Sequence, residues 1–260
     1  MHEDMRYYHV WFGVDADPNA PQIIGDSSAE RFEASAFGDL IRADAGSDTL
    51  VGGNGADTLY GGDGADTIIG GDGDDFIFGG TSENDLRDLV AAGAGNDYVV
   101  GGYGNDDLGG GDGDDTIEGG FGVDTIVGHD GDDVLTGSAF SDLVFGGAGD
   151  DFVNGGFGSD RINGGAGADR FFHVGVVGHG SDWVQDYSAA EGDLLQFGGA
   201  AQPGDFQVNM AQTMGVGDAD VAEAFVIYRP TGQILWALVD GGEQDEINLL
   251  LGGTTYDLMG

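Results

Sequence analysis

Residues 52–78 read "GGNGADTLYGGDGADTIIGGDGDDFIF", three nine-residue phrases laid end to end. Each phrase has glycine at places one, two and four, aspartate at six and an aliphatic residue at eight. A fixed period has to be settled before any secondary structure is assigned, because it dictates the architecture. Stepping outward by nine gives phrase starts at 25, 34, 43, 52, 61, 70 and 79; after a four-residue insertion they resume at 92, 101, 110, 119, 128, 137, 146, 155 and 164. The sixth places hold Glu30, Asp39, Asp48, Asp57, Asp66, Asp75, Asp88, Asp97, Asp106, Asp115, Asp124, Asp133, Asp142, Asp151, Asp160 and Asp169. The eighth places hold Phe32, Ile41, Leu50, Leu59, Ile68, Ile77, Val90, Val99, Leu108, Ile117, Ile126, Leu135, Val144, Val153, Ile162 and Phe171. Acid and apolar chemistry stay locked two places apart through all sixteen phrases, which removes a solvated low-complexity tract as the explanation.

Composition points the same way. The 260 residues carry 54 glycines, no cysteine and a formal charge of −41. Self-repulsion at that charge opposes a compact state, so a cation is needed where the chain folds, and nucleic acid is excluded as a partner. Without cysteine there is neither a disulfide framework nor a thiolate metal site, which leaves oxygen ligands and favours calcium. No run of about 18 apolar residues exists to span a membrane. The start "MHEDMRYYHV" lacks the basic and apolar stretches of a secretory signal peptide, so export is expected to use another route.

Nine phrases, at 52–60, 61–69, 70–78, 101–109, 110–118, 119–127, 146–154, 155–163 and 164–172, fit GGxGxDxUx at every fixed place, with U a large aliphatic or aromatic residue. The chain resembles the RTX (repeats-in-toxin) calcium-binding proteins, in particular the C-terminal region of type I-secreted bacterial exoproteins. The resemblance implies an all-β fold, a right-handed parallel β-roll solenoid of nonapeptide repeats with two phrases per coil. A C-terminal β-rich capping and secretion region follows it. The expected organisation is an aromatic cap or remnant of an upstream domain at 1–24, containing Tyr7, Tyr8, Trp11 and Phe12, the roll at 25–185, and the C-terminal cap at 186–260.

Stacking every second phrase puts like turns above one another, and their aspartates into one slot. Uncompensated, these repel; calcium takes 6–8 oxygen ligands, which carboxylates and turn carbonyls of two stacked turns can supply. The expected metal residues are Asp48, Asp57, Asp66, Asp75, Asp97, Asp106, Asp115, Asp124, Asp133, Asp142, Asp151, Asp160, Asp169 and Asp182. With them go the glycines at places two and four: Gly53, Gly55, Gly62, Gly64, Gly71, Gly73, Gly102, Gly104, Gly111, Gly113, Gly120, Gly122, Gly147, Gly149, Gly156, Gly158, Gly165 and Gly167. Roughly ten ions are expected, offsetting about half of the −41. The insertion in "GGTSENDLRDLVA", residues 79–91, is expected to bulge out and spoil one or two sites, and "GSAFSDLVF" at 137–145, which keeps only its first glycine, to hold ions less well. Asp186 and Asp193 are candidates to close a last site, and "AFVIYRPTGQILWALVDGG", residues 224–242, reads as two strands joined by a turn.

No HExxH helix and no GxSxG elbow is present, and carboxylates committed to calcium are poor general acids, so no catalysis is expected from this chain. The expected function is a secreted calcium-binding module that folds on meeting extracellular calcium and supports export by type I secretion machinery. Two alternatives stay open: an adhesin or surface-layer component that binds cell surfaces, glycans or its own copies, and the export portion of a larger secreted hydrolase.

Overall fold

The computed structural model describes residues 23–34, 37–213, 216–217 and 221–260. The expected aromatic cap, with Tyr7, Tyr8, Trp11 and Phe12, lies outside the described residues. The chain divides into two compact units, Met1–Ile126 and Val127–Gly260.

In the first unit the strands are β1 (Ile23–Ile24), β2 (Arg31–Glu33), β3 (Leu40–Arg42), β4 (Thr49–Asn54), β5 (Thr58–Tyr60), β6 (Thr67–Asp72), β7 (Phe76–Phe78), β8 (Leu89–Ala94), β9 (Tyr98–Tyr103), β10 (Asp107–Asp112) and β11 (Thr116–Phe121). The division falls within β12 (Thr125–Asp130). Odd-numbered strands β1 to β11 pair in parallel, each with the strand two later, and even-numbered β2 to β10 form a second parallel sheet. Leu59 therefore lies between Ile41 and Ile77, and one coil consumes two phrases. Three residues of strand cannot bury a face alone, so the coils bury it against one another. In β5 and β7 the central residue is buried and its neighbours are not, which sends the eighth place inward. Ile41, Leu50, Leu59, Ile68, Ile77 and Val99 are wholly enclosed.

The second unit holds β13 (Val134–Ala139), β14 (Leu143–Ala148), β15 (Phe152–Asn154), β16 (Arg161–Ala166), β17 (Arg170–His173), β18 (Asp182–Val184), β19 (Leu194–Phe197), β20 (Phe206–Ala211), β21 (Glu223–Tyr228), β22 (Gln233–Leu238), β23 (Asn248–Leu251) and β24 (Thr254–Asp257). The same alternation continues as β13-β15-β17-β19-β23 and β14-β16-β18-β22, all parallel. Parallel stacking thus runs past residue 185, where the repeat was expected to give way to the cap. It ends in antiparallel pairs, β22 with β21, β21 with β20, and β23 with β24. The hairpin expected at 224–242 is β21 and β22. These antiparallel strands are a physical stop, because they cover the edge that a bare parallel strand would expose. Among the described residues no helix is long and apolar enough to cross a membrane.

Candidate metal centre

Each phrase turns through a backbone at places two and four that only glycine adopts freely. All eighteen glycines singled out at places two and four have positive φ, and Gly122 shows why size matters as well. A Cβ on Gly122 would stand 1.4 Å from the carbonyl oxygen of Gly104, in the turn one coil earlier. Where other residues occupy these places the conformation persists at a cost: His129, Ser138 and Phe140 hold φ of 86°, 82° and 87°. The weak phrase at 137–145 therefore keeps the coil, as expected.

All fourteen aspartates expected to bind metal are buried, and so is Asp88. One contact recurs among them: the backbone N–H of a sixth-place residue donates to Oδ1 of the aspartate one coil later. Asp182 stands apart, with both carboxylate oxygens buried and without a hydrogen-bond partner. On one side of the first unit the series runs from Glu30 to Asp48, Asp66, Asp88, Asp106 and Asp124 at 2.7–2.9 Å. The other side runs from Asp39 to Asp57, Asp75, Asp97 and Asp115 at 2.6–2.8 Å. In the second unit Asp133, Asp151, Asp169 and Asp193 form one series and Asp142 and Asp160 another, at 2.9–3.0 Å.

The expected break at the insertion is absent from this ladder. Leu86 N–H donates to Gly64 O at 2.9 Å, so place four resumes at Leu86, and Asp88 receives the Asp66 N–H in register. The four extra residues are absorbed before that point. Asp88 belongs to the ladder on the same geometry as its neighbours.

One carboxylate oxygen is thus accounted for, and the other is not. Oδ2 of Asp48, Asp57, Asp66, Asp75, Asp88, Asp97, Asp106, Asp151 and Asp169 is buried without a hydrogen-bond partner. Each of several such atoms lies over the first glycine of its own phrase, beside a carbonyl from the next coil. The point that a Cβ on Gly52 would fill is 2.6 Å from Asp57 Oδ2 and 2.3 Å from Gly70 O; for Gly146 the distances are 2.1 Å to Asp151 Oδ2 and 2.3 Å to Gly164 O. Glycine at place one is what lets the carboxylate in.

Buried carboxylates without a counter-charge are expensive, and the protein shows it in their proton affinity. Burial, with the next aspartates in the column adding repulsion, pushes Asp57, Asp106 and Asp151 up to about 7 and Asp88 to about 8. Asp182 is raised well above the ordinary carboxylate range by its burial and by Asp160 beside it. A proton or a cation must occupy these places. Orphaned oxygens converging with carbonyls fit a hard cation, and calcium is the one whose ligand number and all-oxygen preference match. Among the described residues no three acidic or histidine side chains converge on one metal position. The carbonyls of the stacked turns would therefore have to complete each set, with one or two carboxylates per ion.

Of the two acids expected to close a last site, Asp193 continues a ladder, taking Asp169 N–H on Oδ1 at 3.0 Å and Ser188 N–H on Oδ2 at 2.8 Å. Asp186 instead binds the paired N–H groups of Gly164 and Gly165, at 3.0 and 2.7 Å. Sequence reasoning missed Asp85, which lies off the nine-residue beat yet is buried. His173 and His179 pack their rings 4.7 Å apart, and His173 meets Trp236 at 5.7 Å, in keeping with packing roles.

In each unit, parallel strands wound from nine-residue phrases, with a ladder of buried carboxylates between turns of glycine, define a calcium-binding β-solenoid. The family of RTX calcium-binding nonapeptide repeats matches the chain at residues 24–59, 51–86, 84–117, 109–144 and 136–171, which together cover more than half of it. The chain belongs to that family. No curated protein matches it.

Proposed function

We propose that the chain is a secreted module that folds when it meets calcium outside the cell, and that it supports export by type I secretion machinery. The observation that carries this reading is the set of buried Oδ2 atoms named above, which have no hydrogen-bond partner. Folding stacks them, and only bound cations or protons make the stack stable near neutral pH. Extracellular calcium modules bind at about 10⁻⁴ to 10⁻³ M, so a calcium-poor cytosol leaves such a chain unfolded and the outside folds it. Roughly ten ions would be held by the sixth-place aspartates and the turn carbonyls. The chain itself carries no catalytic task in this reading; an enzyme, where one exists, belongs to a neighbouring segment. Circular dichroism in chelator and in millimolar calcium tests it. The expected result is β-structure that appears with calcium and is lost on chelation, and equal β-content in both conditions sinks the mechanism.

A second reading, an adhesive surface component, is favoured by one feature. On the outer side of the odd-numbered sheet Arg42 lies 4.6 Å over the Tyr60 ring, Tyr60 stacks on Phe78 at 4.9 Å, and Tyr98 follows 6.2 Å from Phe78. Phe76, 52% exposed, stands 6.0 Å from Tyr98. Such a strip can stack on sugar rings. Binding of the calcium-loaded chain to a glycan panel, lost in Phe76→Ser, would support it; a monomer that binds no glycan would count against it.

A further inference from the structure

The insertion carries a carboxylate into the interior. With place four resumed at Leu86, the added residues are Ser82, Glu83, Asn84 and Asp85. Glu83 and Asn84 are exposed, but Asp85 is only 6% exposed. A local turn holds it there: Asp85 N–H donates to Ser82 O at 3.0 Å, and Ser82 Oγ donates to Asp63 Oδ1 at 2.5 Å. Asp85 Oδ1 accepts from Leu86 N–H at 3.0 Å, whereas Oδ2 is buried without a partner.

That oxygen has company. The point a Cβ on Gly80 would fill is 2.1 Å from Asp85 Oδ2 and 2.2 Å from Gly62 O. On the adjoining Gly79 the same point is 2.2 Å from Asp88 Oδ2 and 2.4 Å from Gly101 O. An ordinary phrase brings one orphaned carboxylate oxygen to its first glycine; this phrase brings a second, Asp85 Oδ2, which lies beside a carbonyl of the preceding coil while Asp88 Oδ2 lies beside one of the following coil. The basic residue of the phrase does not neutralise them, because Arg87 forms its ion pair with Asp107. Asp66 and Asp106 add further negative charge around Asp85.

We propose that the insertion builds a cation site of its own, in which Asp85 Oδ2 and the carbonyl of Gly62, one coil earlier, are ligands of one calcium ion. The site rests on the calcium reading above but uses a ligand that the nine-residue repeat does not contain. Four residues that interrupt the beat thereby add an ion where an interruption would otherwise cost one.

Counting ions by native mass spectrometry on the full chain tests this. Three forms are compared at saturating calcium, with circular dichroism as the check on folding: wild type, Asp85→Asn, and a deletion of residues 82–85. The deletion leaves the regular nine-residue phrase GGTLRDLVA, so it reads the count even where Asp85→Asn fails to fold. The expected result is one calcium fewer in each folded variant than in wild type. A wild type that holds calcium, with counts equal in the variants, overturns the site alone and makes Asp85 a protonated buried acid. A wild type that holds no calcium overturns the calcium reading and this site with it.

Discussion

The backbone N–H of Asp57 donates to Oδ1 of Asp75 at 2.7 Å, while Oδ2 of Asp75 lies buried without a donor. One carboxylate therefore does two things: it clamps the coil before it and leaves a charge that something else must neutralise. The two tasks separate on substitution. Asp75→Asn keeps an acceptor for the Asp57 N–H and removes the charge. The expected outcome is a higher calcium midpoint and one ion fewer, together with more residual β-structure in chelator than wild type. Asp75→Ala loses the clamp as well and is expected to cost a further 1–3 kcal/mol in calcium, measured by urea unfolding.

The dependence on pH follows from the raised carboxyls. Asp97 and Asp169 are pushed to about 6, Asp57 and Asp151 to about 7, and Asp88 to about 8, in each case chiefly by burial. Because the folded values lie above the ordinary 3.8, folding without metal favours the protonated form. That stability is fully present below the ordinary value and is lost as pH rises through 6 to 8. In chelator, lowering the pH from 8 to 5 should therefore increase β-content. With calcium present the sign of the metal effect is opposite, since protons compete for the same oxygens, and the calcium midpoint should rise as pH falls from 8 to 6. Calcium titrations followed by circular dichroism at several pH values check both arms.

Turn geometry gives a paired test. Gly122→Ala places a Cβ 1.4 Å from Gly104 O at a φ of 144°, and is expected to destabilise the coil by about 2 kcal/mol or more. Phe140→Gly acts in the other direction, because Phe140 holds a φ of 87° and is 60% exposed, so little packing is lost. A gain of about 1 kcal/mol is expected, read from the urea midpoint at fixed calcium.

The interior is thin, one large apolar side chain per phrase, so each should matter. Leu59 is enclosed between Ile41 and Ile77, and Leu59→Ala should cost about 2–5 kcal/mol at saturating calcium. Thr58→Ala, at a half-buried neighbouring position, is the control and should cost well under 1 kcal/mol.

Residues that repeat were legible because periodicity makes one reading vouch for the next. Asp57, Asp75, Leu59 and Ile77 occupy the places and the interior that the nine-residue beat assigns them. The beat was silent where the chain leaves it. Asp85 sits in an insertion, and only its burial over Gly80 distinguishes it from Glu83 two residues earlier. The ladder's continuity through Asp88 was obscured for the same reason, since a count of nine fails there while the register of strand pairing does not. Past residue 185 the coils have unequal lengths, so parallel pairing of β19 with β23 leaves no trace in spacing. The strip of Tyr60, Phe78 and Tyr98 lies at places seven and nine, where the repeat makes no demand.

The ladder also has a direction. In every rung described, the N–H comes from the earlier coil and the carboxylate from the later one, and in the second unit a series closes on Asp193, whose other oxygen is taken by Ser188. The two ends of such a stack are unlike, as the ends of a filament are. A coil docking on the N-terminal side finds an acceptor already in place, whereas one docking on the C-terminal side must bring its own acid.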